Sequence, residues 1–192
     1  LDLCKEKMFW ILMLMMICAG ASEQAVSQWA STFAEKGLGV SKAIGDLAGP
    51  MAFAILMGSA RAFYGKFGDK IDLDKFMKYS ALLCILSYLC IAFLPIPALG
   101  LAGCAICGLS VGIMWPGTFS KASASVRNGG TAMFALLAMA GDLGGSIGPG
   151  IVGRVTQNAG DNIRVGMGVG LIFPVVLLIM VFLLGKVKAE EK

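Results

Sequence analysis

Two carboxylates are surrounded by apolar sequence: Glu23 in "GASEQAVSQWAS" and Asp142 in "GDLGGSIGPGIVG". An acid within a bilayer-crossing stretch costs about 2.5–3.5 kcal/mol on insertion scales, so it is expected to face protein or water. Its chemistry would be proton exchange or solute contact. The bland alternative is a structural partner for a backbone or hydroxyl donor on a neighbouring helix. At about 100° per residue, Gly20, Glu23, Gln24, Ser27, Gln28 and Ser31 share an arc of about 140°, with Val26, Trp29 and Phe33 opposite. Such a stripe lines a wet cavity or another polar helix, unless residues 22–34 have already left the membrane.

The remaining chemistry-bearing residues say less. Cys104 and Cys107 form a C-x-x-C, a spacing used for metal or redox work. There is no second such pair and the chain contains no histidine, so no metal ligand set and no cofactor are expected. Cys18, Cys84, Cys90, Cys104 and Cys107 lie in apolar runs, where cysteine acts as a small hydrophobe. Asp46 follows closely on a loop, where an acid suits a helix N-terminus and stays wet. Trp115, beside Pro116, reads either as a stacking surface for a ligand or as an interface anchor. No nucleophile–base arrangement is visible, so no enzymatic activity is expected.

These residues must be positioned by membrane helices. The chain has 192 residues, 57% of them hydrophobic and 15% charged. A soluble domain carries about a quarter charged residues and could not be covered by so few. Six stretches are near the roughly 20 apolar residues that cross the hydrocarbon: 8–33, 43–63, 76–94, 98–119, 131–153 and 167–185. The opening "LDLCKEKMFWILMLMMICAGA" resembles a signal peptide, but its apolar run continues as a span. A start at Leu1 is expected of a piece of a longer protein.

Charge sets the expected orientation. With the N-terminus inside, the inner face holds Lys5, Lys7, Arg61, Lys66, Lys70, Lys75, Lys78, Lys121, Arg127, Lys186, Lys188 and Lys192. The outer face then holds only Lys36, Lys42, Arg154 and Arg164, so both termini are predicted to be cytoplasmic. The net charge of +4 reflects this topology and gives no reason to expect nucleic-acid binding.

Small residues four apart let membrane helices approach closely. Gly141 with Gly145 and Gly144 with Gly148 supply two such pairs; Gly45/Gly49, Gly108/Gly112 and Gly166/Gly170 repeat the device. Pro50, Pro116, Pro149 and Pro174 are each expected to kink a span. The last span has neither charge nor polar stripe, which predicts a lipid-facing position.

The stretch "GSARAFYGKFGDKIDLDK" reads as the longest inner loop. Its Gly65-Lys66-Phe67-Gly68-Asp69-Lys70 has the form G-x-x-x-D-[RK], with Arg61 four residues before. A solvated basic turn would satisfy the charge rule as well. The pattern resembles the loop signature between the second and third helices of each half of major facilitator superfamily transporters. The match is partial, since Asp72 and Leu73 stand where the family continues with a glycine and basic residues. "GLSVGIMWPGTFSKA" and "GDLGGSIGPGIVG" resemble the fourth and fifth helices of the C-terminal half.

The resemblance implies an all-α membrane protein: residues 1–192 form the C-terminal six-helix half of a 12-helix bundle, with the N-terminal half as partner. It implies a gate at Arg61, Gly65, Asp69 and Lys70, where Gly65 lets helix ends approach and the charges close the cytoplasmic side. It further places Glu23, Gln24, Ser27, Gln28 and Asp142 around a central cavity. The expected activity is secondary transport of a small polar solute, sugar-like or a related metabolite, across the cell membrane by alternating access. Proton coupling through Glu23 or Asp142 and facilitated diffusion both remain open, as does efflux of a drug or metabolite. The competing class is a solute sensor or assembly subunit with the same fold.

Overall fold

The computed structural model describes residues 3–37, 39, 41–126 and 129–190. Arg127 and Lys192, and the side chains of Lys36, Asp46 and Lys188, lie outside the described residues. Among the described residues eight α-helices follow one another: α1 (Lys7–Thr32), α2 (Lys42–Phe67), α3 (Leu73–Phe93), α4 (Pro97–Val111), α5 (Met114–Ser125), α6 (Gly130–Asn158), α7 (Ile163–Gly170) and α8 (Ile172–Glu190). They make six spans long and apolar enough to cross a membrane: Lys7–Glu35, Lys42–Lys70, Leu73–Phe93, Ala98–Ser125, Gly130–Asn158 and Ile163–Val187.

Proline explains why six spans contain eight helices. Its ring collides with the carbonyl four residues back and its nitrogen donates nothing. Pro116 meets Gly112, and the fourth span breaks at Gly112–Ile113 between α4 and α5. Pro174 meets Gly170, and the sixth span breaks at Leu171 between α7 and α8. Pro50 and Pro149 behave otherwise: each sits within an unbroken helix, α2 and α6. Of the four prolines expected to kink a span, Pro116 and Pro174 are thus accompanied by a break between helices.

Helix starts carry chemical signals. The Ser41 hydroxyl accepts the Ile44 N–H at 3.4 Å, the Asp72 carboxylate accepts the Lys75 N–H at 3.2 Å, and Asn162 Oδ1 accepts the Arg164 N–H at 3.2 Å. Each closes a backbone donor that a first turn leaves open. That Lys75 N–H bond, with the Lys75 ammonium at 3.3 Å, holds the Asp72 carboxyl below the usual carboxylate range. Pro97 opens α4, where its missing N–H costs nothing. At the far end of α3, Arg164 Nη1 donates to the Leu94 carbonyl at 3.0 Å.

α1 forms the centre of the bundle. Met8, Leu12, Met15, Met16, Ala19, Ala25, Val26 and Ala30 are buried, and α1 packs against α2, α4, α5, α6 and α8. Its closest neighbour is α6. A Cβ on Gly144 would strike the Ile17 backbone, and one on Gly148 would lie 2.7 Å from the Ala21 Cα and carbonyl oxygen. One on Gly20 would strike the Gly141 carbonyl. Elsewhere, Gly49 lies against Ala30, Gly112 against Met57 and Ala60, and Gly170 against Tyr88. The last span presents Ile172, Val175, Ile179, Phe182 and Leu183 outward from α8.

Candidate functional site

Glu23 and Arg61 meet within the bundle. Arg61 Nη2 donates to Glu23 Oε2 at 3.1 Å. This corrects the placement of Arg61 in a long inner loop: α2 continues to Phe67, a single tight turn covers Gly68–Lys70, and only Ile71 and Asp72 separate it from α3. Helix direction explains the pairing. α1 and α2 run antiparallel, with Gly49 against Ala30 and Gly45 against Ser31. Extrapolating that register sets Arg61 level with residue 18, about 7.5 Å from Glu23 along the axis. Side chains lean toward the N-terminus of their own helix, so Glu23 and Arg61 lean toward each other and close the gap.

The polar stripe of α1 divides between two neighbours. Glu23 is buried toward α2, while Gln24 approaches Gly145 of α6. Gln28 is exposed and its Nε2 donates to Gln24 Oε1 at 3.2 Å. Ser27 is half-buried. On the opposite side of α1, the fully buried Tyr88 of α3 donates its hydroxyl to the Ser22 carbonyl at 2.8 Å. Trp29 Nε1 donates to the Pro149 carbonyl at 3.0 Å, and its ring lies against Gly153. Residues 22–34 thus remain helical and packed.

A cavity of about 530 Å³ opens beside the ion pair, lined by Arg61, Tyr64, Gly65, Trp115, Pro116 and Phe119. The Tyr64 hydroxyl donates to Ser120 Oγ at 3.1 Å. Trp115 and Phe119 stand edge to face with centroids 6.3 Å apart, and Phe119 approaches Phe134 at 5.9 Å. Trp115 is half-buried and its ring covers Gly141, with Nε1 finding no acceptor among the described residues. Trp115 lies just past the break between α4 and α5 and lines the cavity.

The other expected residues stand apart. Asp142 is exposed on α6, turned away from the Gly141/Gly144/Gly148 face that packs on α1. Asp69 and Lys70 are exposed at the end of the second span. Gly65 does not bring helices of this chain together, since an added Cβ there meets nothing within 4 Å. Nearer α3, the buried Lys121 of α5 pairs with the half-exposed Asp74. Cys107 lies beside Cys84 of α3, with Sγ atoms 4.0 Å apart.

Sequence reasoning missed the Arg61 contact, the Tyr88–Ser22 bond and the Lys121–Asp74 pair. One signal was available: a cation inside a span needs an acid, and Glu23, Asp46 and Asp142 were the acids within the six stretches.

Six apolar spans around a charged pair and an open cavity define a multi-pass membrane bundle. The family model described as Major Facilitator Superfamily matches residues 1–149, and the chain belongs to that family. The chain is also 27% identical over 178 residues to Membrane protein MosC of Rhizobium meliloti, covering 93% of this chain and 41% of that protein. It therefore spans about two fifths of the length of that relative.

Proposed function

We propose that this chain is the C-terminal six-helix half of a secondary transporter that moves a small polar solute across the cell membrane by alternating access. Membership of the family supports membrane transport in general. The observation that carries the finer reading is the Glu23–Arg61 pair, an acid and a base within apolar spans beside a cavity. Isolated charges there would be costly, and a pair that can exchange partners gives that cost a use. The chain's two-fifths share of its relative leaves length for a second half to close the open side of the cavity.

In this reading both termini are cytoplasmic. Asp69 and Lys70 then lie at the inner rim, free to meet the other half when the cavity closes on that side. Glu23 is the proton-coupling group: it releases Arg61 when protonated and retakes it when ionised. Asp142 faces the second half.

The test uses the full-length protein in vesicles, with accumulation of labelled sugars, amino acids and carboxylates driven by an imposed pH gradient. Glu23→Gln is expected to abolish accumulation while leaving downhill exchange. Unchanged pH dependence in that variant would remove Glu23 as the coupling group. Binding of a solute without accumulation in the wild type would replace transport by sensing.

A further inference from the structure

The chemistry of the cavity beside the ion pair narrows the class of solute, an inference that rests on the transport reading. The charge presented to the cavity is positive. Arg61 lines it with 43% of its side chain exposed, whereas the Glu23 side chain is 11% exposed and does not line it. An entering amine would meet the guanidinium first and be repelled. An entering anion would meet a planar fork of five N–H donors, of which Nη2 serves Glu23. Carboxylates match that fork with two parallel bonds.

The other walls are aromatic. Tyr64, Trp115 and Phe119 contribute rings, and the Tyr64 hydroxyl is engaged with Ser120. A polyol would leave several hydroxyls unpaired against such walls, each at a cost of about 1–3 kcal/mol. A flat apolar body would instead stack on them. The Trp115 N–H is itself buried, so this ring offers the cavity apolar surface. Gly65 and Pro116 leave room, and about 530 Å³ falls within the range of small-molecule sites.

We propose that the solute is a carboxylate carried on a flat, largely apolar body, and that its carboxylate takes Arg61 from Glu23. Glu23 is thus the internal competitor for the solute's place. The body of the solute lies between the Tyr64 and Trp115 rings. This keeps the transport reading but replaces its small polar, sugar-like solute, which the Gln24–Gln28 stripe suggested; that stripe lies on the α6 side of α1.

The test is equilibrium binding of radiolabelled benzoate to the purified full-length protein. Benzoate is expected to bind saturably and to be displaced by unlabelled benzoate, but not by benzamide, benzylamine or acetate. Arg61→Gln should weaken binding at least tenfold, and Arg61→Lys should fall between. Glu23→Gln should tighten it several-fold, because the competitor is gone. Absence of saturable binding, equal displacement by benzamide, or unchanged affinity in Arg61→Gln would overturn the proposal. If Arg61→Gln does not insert, loss of tightening in Glu23→Gln overturns it just as well. Uptake into vesicles is read separately. Arg61-dependent binding without movement across the bilayer would support this ligand class and remove transport. Movement of another solute without benzoate binding would do the reverse.

Discussion

Gly144 lies directly over the backbone of Ile17, so close that no Cβ fits between α6 and α1. Backbone-to-backbone contact of this kind holds membrane helices together where lipid gives no hydrophobic drive. Gly144→Ala must push α6 off the central helix, because the obstruction is main chain and cannot rotate away.

The expected cost is about 1–3 kcal/mol, as for other overpacked sites. Gly150→Ala, six residues on, is the control. An added Cβ there meets nothing within 4 Å, and Ala is favoured over Gly in a helix by about 0.5–1 kcal/mol. Thermal unfolding in detergent should move the two variants in opposite directions. A Gly144→Ala protein as stable as Gly150→Ala would mean that α1 and α6 are not in this contact.

The ion pair makes a different kind of prediction, one of non-additivity. Removing one partner of a fully buried pair costs about 3–5 kcal/mol, because the other charge is left uncompensated. Arg61→Gln strands the buried Glu23 and approaches that range from below, since Arg61 itself is partly exposed. Glu23→Gln strands a guanidinium that still reaches the cavity and should cost less. The double variant should recover at least half of the Arg61→Gln loss. Strictly additive melting temperatures would show that the two groups do not interact.

At the start of α3, Asp72 gives a pH signature. The Lys75 N–H bond and the Lys75 charge lower its folded pKa, so its stabilising effect is complete above the unfolded value and is lost as pH falls through the folded one. Asn keeps the capping acceptor but never the charge. The wild type should therefore exceed Asp72→Asn in melting temperature near neutral pH, and the gap should close on acidification below pH 3.8. Asp72→Ala, lacking the acceptor, should stay below both throughout. A gap between wild type and Asp72→Asn that persists at low pH would separate Asp72 from the Lys75 charge.

The fold was legible because apolar runs and intervening charges report the membrane directly. The small-residue spacing pointed to close contacts that Gly144 and Gly148 make. Which prolines break a helix was not legible: Pro116 and Pro174 do, while Pro50 and Pro149 are carried inside continuous helices. Glu23 stood out because a polar stripe on an apolar helix is costly wherever it points. Arg61 stood out only as a gate residue beside the loop, because a basic residue there is already accounted for by the charge rule. Its pairing depends on antiparallel register and on the opposite lean of two side chains, which no periodicity records. The same holds for Tyr88 and Ser22, 66 residues apart.

Asp142 shows what this chain alone leaves exposed. It lies 12 residues into α6, about 18 Å from the start of the helix, which places it near the middle of the span. It is exposed, as are Met139 and Leu143 beside it, and no ion pair with another described residue forms. An ionised carboxylate at that depth against lipid would cost about 2.5–3.5 kcal/mol. Its surroundings are therefore expected to be the second half or the water between the halves. A nitroxide placed at 142 in the full-length protein should be either immobilised or accessible to a water-soluble nickel chelate, with little access to oxygen. One placed at 179, where Ile179 of α8 points outward, should show the lipid pattern of high oxygen and low chelate access. If position 142 is as oxygen-accessible as 179, Asp142 faces lipid, and its assignment to a surface between two halves is wrong.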